Sequence, residues 1–153
     1  MIRFCIFVLS VLCCFSSSLF ASNQSENDAA EIYHFKGVHF LASYCDCDQE
    51  ALTDLEALQQ AMLAAVEKCG ATILNESHYV FPPHGLTMVI LLSESHASIH
   101  TYPEHGSCFV DLFTCGEKCS AEKFDAALRE YLKPKNVNQR TFVRKQDIHD
   151  PQI

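Results

Sequence analysis

Residues 91–116, LLSESHASIHTYPEHGSCFVDLFTCG, decide the fold. Two strand-like runs, 97–102 and 108–113, flank Pro103-Glu104-His105-Gly106, a turn by its proline and glycine. If the strands fold about Glu104 and His105, residue numbers that face each other sum to about 209. Cys115 then lands opposite Glu94 and beside Ser95, far away in sequence but adjacent in space. His100 is placed differently, because five residues of extended strand span roughly 16 Å and put its side chain on the face opposite Ser95. A tight turn or bulge at 94–96 that aims Ser95 back across the sheet would join the two, as would a second subunit; the turn is the expectation.

Working outward, 35–44 (FKGVHFLASY) reads as a first strand. Thr53-Asp54-Leu55-Glu56 has the form of a capping box, and Leu55, Leu58, Met62, Ala65, Val66 and Cys69 share one helical stripe that Gly70 ends. Residues 71–74 and 79–81 form a second strand, Pro82-Pro83 a break, and 86–92 (LTMVILL) a fully buried strand. Ser120 can cap a second helix with Phe124, Ala127, Leu128, Tyr131 and Leu132 on its buried face, stopped by Pro134. A last strand falls at 138–144. The expected fold is α+β: a mostly antiparallel sheet with two helices packed on one face.

The 153 residues suffice for one core. A net charge of -8 argues against a nucleic-acid surface or an anionic membrane surface, which call for clustered positive charge. Residues 1–21 have the pattern of a signal peptide or hydrophobic leader: one arginine, an apolar run over 4–15, then small polar residues. That run is too short for a comfortable membrane span, and no stable span is expected in the mature domain. Residues 22–31 read as a polar linker and 32–153 as the domain. Of nine cysteines, three (Cys5, Cys13, Cys14) lie in the leader. If the chain is exported, some of Cys45, Cys47, Cys69, Cys108 and Cys119 can be bridged, whereas a catalytic Cys115 must stay reduced.

The Glu94-Ser95 dipeptide suits a specific chemistry. A serine hydroxyl held against the preceding carbonyl carbon can attack it and convert the amide to an ester, if the backbone is strained and donors hold the oxyanion. Removal of the Ser95 α proton by a base, for which His100 is the candidate, would eliminate the ester and cut the chain. The dehydroalanine left at residue 95 would hydrolyse to a pyruvoyl group, a ketone able to form a Schiff base with a substrate amine and to accept electrons from a departing carboxylate. Cys115 is a candidate proton donor to the resulting carbanion. Other roles stand beside these. Ser95 can be a turn residue, Ser98, His96 and His105 solvated or hydrogen-bonded, and His96, His100, His105, Cys115 and Cys119 a zinc set, though one lacking close paired spacings. On residues and spacing alone, a disulfide-bearing or structural role remains open beside self-processing.

Residues 93–104 (SESHASIHTYPE), followed by 110–116 (VDLFTCG), closely resemble the short prokaryotic S-adenosylmethionine decarboxylases, whose hallmark is ESHxSIHTxPE and then D(I/L)FTCG. The likeness runs from about Gly37 to about Val143 and includes Cys47-Asp48, 70–73 (GATI) and 81–85 (FPPHG). The resemblance implies autocatalytic cleavage between Glu94 and Ser95, with the pyruvoyl group at Ser95, His100 as the processing residue and Cys115 as the proton donor. It also implies Phe81 stacking on adenine, Glu104 holding the ribose hydroxyls, and Thr87 supplying a hydroxyl that assists processing. The implied reaction is decarboxylation of S-adenosylmethionine to the aminopropyl donor for spermidine synthesis; no metal site is expected. The implied assembly is a homodimer of cleaved protomers with sites at the interface. Tyr102 stands where the family usually has tryptophan, Val80 where arginine is common, and Cys108 and Phe109 where small residues are usual. The family default is cytoplasmic, while the leader suggests export. An exported, non-catalytic binding module on the same fold and a pyruvoyl decarboxylase of another amino acid are the alternatives.

Overall fold

The computed structural model describes residues 36–115 and 118–145. The leader 1–21, the linker 22–31 and Gly116 lie outside the described residues. Six strands, β1 (Lys36–Cys45), β2 (Ile73–Phe81), β3 (Gly85–Leu92), β4 (Ser95–Tyr102), β5 (Ser107–Thr114) and β6 (Asn136–Lys145), form one sheet in the order β2-β3-β4-β5-β1-β6. Every pairing is antiparallel. Three helices, α1 (Gln49–Thr53), α2 (Leu55–Cys69) and α3 (Ala121–Leu132), share a single core with one sheet face. The α+β expectation holds, with α1 as an additional helix.

The alternation of β-structure sorts the side chains. Phe40, Ala42 and Tyr44 of β1, Leu86, Met88, Ile90 and Leu92 of β3, Ala97 and Ile99 of β4, and Cys108, Val110 and Leu112 of β5 point to the helices and are buried. From the other side Leu58, Met62, Ala65 and Val66 of α2 and Phe124, Leu128 and Leu132 of α3 meet them. Each fully buried leucine, isoleucine, methionine or phenylalanine among them contributes about 2 kcal/mol by leaving water. The Tyr44 hydroxyl, at the bottom of this core, donates to Asp125 at 2.6 Å, and Arg129 donates to the other oxygen of that carboxylate at 2.8 Å.

Among the described residues no helix lies on the opposite sheet face. Val89 is 44%, Leu91 51% and Phe109 52% exposed, so β3 is half-buried rather than the fully buried strand its apolar run suggests. Apolar residues on both faces cannot reveal that only one is covered. β2 is continuous through the polar residues 75–78 because it is an edge strand with little of its surface buried. Helix capping also differs from expectation. Asp54, not Thr53, caps α2 by accepting from the Ala57 amide at 3.1 Å, since Thr53 closes α1 and donates its hydroxyl to Gln49 at 2.8 Å. Ser120 caps α3 as expected, accepting from the Lys123 amide.

Gly70 ends α2 in the left-handed region at φ 94, and a Cβ there would stand 2.8 Å from the Lys118 carbonyl. This close approach docks the segment after β5 onto the end of α2, where Ser120 also donates its amide to Cys69 at 2.9 Å. The six domain thiols are free. Cys69 and Cys119 nevertheless touch, sulfur to sulfur, at 2.8 Å. Hydrogen bonding from Cys119 draws the Cys69 thiol down to about 7, and Cys69 pushes Cys119 up in return.

Candidate active site

The β4–β5 register obeys the sum read from the sequence: Ser95 faces Thr114, Ser98 faces Asp111 and Tyr102 faces Ser107. One step further the pairing continues through a single bond, because the Cys115 amide donates to the Glu94 carbonyl oxygen at 2.9 Å. That oxygen belongs to the Glu94-Ser95 peptide. A donor already on it polarises the carbonyl and would carry part of an oxyanion's charge if the carbon were attacked. The Cys115 side chain is exposed, and its sulfur lies 3.3 Å from where a Cβ on Gly37 would stand. A Cβ there would also meet the tip of the Phe113 ring at 2.4 Å, so a larger residue at 37 would push that ring aside.

Ser93 and Glu94 form a two-residue turn between β3 and β4, closed by the Leu92 and Ser95 pair. Thr72 clamps it twice: its carbonyl accepts from the Ser93 amide at 2.9 Å, and its amide donates to the Glu94 carboxylate at 2.9 Å. Slight burial pushes that carboxyl up, but the bonds from Thr72 and Ser93 outweigh it and hold Glu94 below the usual carboxylate range. The residue after the turn bears the conformational cost. Ser95 has φ 146, a positive value that a residue with a Cβ rarely adopts. Such a backbone stores on the order of 1–3 kcal/mol and persists only because its surroundings fix it.

The expected turn is therefore present, but it does not carry Ser95 to His100. The Ser95 hydroxyl meets the Nδ1 of the next residue, His96, at 3.1 Å. His96 Nε2 in turn faces Asp111 Oδ2 at 3.5 Å, and His39 Nε2 approaches the same oxygen at 3.7 Å. Ser98 donates its hydroxyl to Asp111 Oδ1. Phe113 packs against both imidazoles, with ring centroids 5.3 Å from His39 and 5.9 Å from His96, and Arg144 lies 4.5 Å over the Phe113 ring.

His100 belongs to a second cluster on the uncovered face. It is cross-strand partner to Thr87, whose hydroxyl lies 2.5 Å from its Nδ1. The Phe81 ring is 5.8 Å and the Tyr102 ring 4.6 Å from the imidazole, and Tyr79 stacks edge-on to Phe81 at 4.7 Å. Thr87, Phe81 and His100 are thus brought together from three neighbouring strands. Glu104 lies apart, in the short 3-10 turn Pro103–His105 at the far end of β4, where a groove is lined by Asp48, Gln49, Lys133 and Lys135. Among the described residues no three His, Cys, Asp or Glu side chains converge to hold a metal ion.

Two groups of residues thus stay apart along the sheet: Glu94, Ser95, His96, Asp111 and Cys115 at one end, and Phe81, Thr87 and His100 farther along. His39 and Asp111 escaped the sequence reading as site residues, and His96 entered it only as a solvated or hydrogen-bonded residue or a zinc ligand. The signal for Asp111 was available, since the register sum places it opposite Ser98 and one step diagonal from His96. His39 needed the β1–β5 pairing, which no local pattern gives.

A family model described as S-adenosylmethionine decarboxylase matches residues 38–145. An S-adenosylmethionine decarboxylase proenzyme of Thermosipho africanus is 43% identical over 102 residues, covering 67% of this chain and 78% of the relative. A protein of the same name from a Synechococcus species is 43% identical over 108 residues, 71% of this chain and 84% of the relative. Among solved structures, the adenosylmethionine decarboxylase of Aquifex aeolicus superposes with a TM-score of 0.69 at 32% identity, covering 78% of this chain and 99% of that one.

Proposed function

This chain belongs to the S-adenosylmethionine decarboxylase family, and on that premise we propose that it cuts itself between Glu94 and Ser95 and then decarboxylates S-adenosylmethionine, yielding the aminopropyl donor for spermidine synthesis. The observation that carries this reading is the state of the Glu94-Ser95 peptide. Its carbonyl oxygen holds the Cys115 amide at 2.9 Å, its serine stands at φ 146, and its turn is clamped by Thr72. The two backbone bonds extend the strand pairing, but a positive φ on a serine that follows the turn is not something an ordinary hairpin requires. Together they supply a strained ground state, a polarised carbonyl and a neighbouring hydroxyl, the three requirements of an amide-to-ester shift.

The residues fit a pyruvoyl group generated from Ser95. When formed, that group supplies an electrophilic ketone that takes up a substrate amine and the electrons released with carbon dioxide. Cys115 stands at the same end of the sheet and is exposed, so its thiol can deliver a proton to the product carbon. His100 is the base for the Ser95 α proton, with Thr87 orienting its ring. Phe81 offers a stacking surface to adenine, and Glu104 a carboxylate to the ribose hydroxyls.

His100 lies roughly 16 Å along β4 from the Ser95 of its own chain, so a second copy completes the site. The uncovered apolar face argues for the same arrangement: Phe81, Val89, Leu91, Phe109 and Phe142 are each more than two-fifths exposed and would be covered in a homodimer. One protomer then offers Ser95 and Cys115 while its partner offers His100, Thr87 and Phe81. Release of carbon dioxide from S-adenosylmethionine, with arginine and ornithine as comparison substrates, tests the assignment. Release from S-adenosylmethionine alone is expected; release from either amino acid instead, or from none, would overturn it.

A further inference from the structure

The self-processing reading names a base for the Ser95 α proton but none for the hydroxyl proton that must leave when the oxygen attacks. We propose that His96 is that base and that Asp111 is its positioning residue; the inference rests on self-cleavage at Glu94-Ser95. Of the two imidazoles on β4, His96 touches the reacting oxygen, with Nδ1 at 3.1 Å from the Ser95 hydroxyl, while His100 is engaged with Thr87. An ionised carboxylate accepts hydrogens only, so the ring nitrogen facing Asp111 carries the proton and Nδ1 is left to accept. The 3.5 Å separation makes this an electrostatic contact that sets the tautomer rather than a full hydrogen bond.

Asp111 is itself fixed. One oxygen takes the Ser98 hydroxyl, and the other sits between His96 and His39, whose buried Nε2 has no hydrogen-bond partner and faces the same charge. Phe113 closes the side of the cluster by packing on both rings. The arrangement is a serine, a histidine and an aspartate in series, beside the peptide bond that precedes the serine. In the step, the Ser95 hydroxyl proton passes to His96 Nδ1 as the oxygen bonds to the Glu94 carbonyl carbon, and the oxyanion is held by the Cys115 amide. When the carbon–nitrogen bond breaks, His96 returns the proton to the Ser95 nitrogen, leaving an ester and a free amine with no co-reactant needed. His100 acts later, on the ester, as the two clusters' separation requires.

The test follows newly synthesised full-length chain by intact mass, with and without hydroxylamine, which cuts an ester but not an amide. His96→Gln keeps the volume and a hydrogen-bonding group but not the basicity, and His96→Ala is its companion. Both are expected to slow cleavage about 100-fold or more and to stay uncut by hydroxylamine, because the ester does not form. His100→Ala is expected to accumulate ester and to be cut by hydroxylamine. Asp111→Asn should slow cleavage less, and should add nothing in the His96→Gln background, a coupling that a merely structural role would not show. Cleavage of His96→Gln at the wild-type rate, or hydroxylamine cutting of both His96 variants, would overturn the inference while leaving self-cleavage standing. A wild-type chain that never cuts would instead refute the reading on which it rests.

Discussion

Replacing Ser95 by glycine and, separately, by alanine isolates the strain placed at the cleavage point. Neither variant has the hydroxyl, so both are expected to remain single uncut chains, and both lose the same contact with His96. At an ordinary strand position glycine is less stable than alanine by about 0.5–1 kcal/mol, through its larger loss of backbone freedom on folding. Ser95 is not ordinary, because φ 146 costs a residue with a Cβ about 1–3 kcal/mol and costs glycine almost nothing. Setting the two against each other reverses the usual sign: Ser95→Gly should exceed Ser95→Ala by about 1 kcal/mol, or about 4 °C in melting temperature for a domain of this size. Thermal and denaturant unfolding of the two proteins measure the difference. An alanine variant as stable as the glycine variant, or more stable, would refute the claim that the scissile residue is strained.

Cys115→Ala should still cleave, because only the backbone amide of residue 115 bonds the scissile carbonyl, while decarboxylation falls about 100-fold or more; retained carbon dioxide release would remove the thiol from the proton-donor role. Co-expressing Ser95→Ala with His100→Ala separates a shared site from a self-contained one: the His100→Ala chain should be cut in the mixture but not alone, and its staying uncut would count against an interface site. Tyr44→Phe should lower stability by about 1–2 kcal/mol in denaturant titration, since it deletes a buried bond to a carboxylate that Arg129 still holds. Between pH 7 and 9 the unfolded Cys69 still holds the proton that the folded thiol has released, so stability should rise with pH across that window, and Cys119→Ala should flatten the rise.

Much of the hairpin was legible in the sequence because turn chemistry and strand alternation are local. Pro103 and Gly106 fixed the turn, the turn fixed the register, and the register put Cys115 against Glu94. The stripe from Leu58 to Cys69 likewise announced α2 and its end at Gly70. What stayed hidden depends on residues distant in sequence or on cover. The exposure of Val89 and Leu91 follows from helices lying on one face only, which an apolar run cannot say. The pairing of His100 with Thr87 follows from β3 lying beside β4, and the place of His39 next to Asp111 from β1 lying beside β5. Ser95's positive φ is a property of the clamped turn, invisible in a serine as a letter.

Intact mass of the purified wild-type protein bears most directly on the proposed chemistry. Two chains are expected, one ending at Glu94 and one beginning at residue 95 with its amino terminus replaced by a ketone. A single uncut chain, with the fold shown intact by cooperative unfolding, would contradict it.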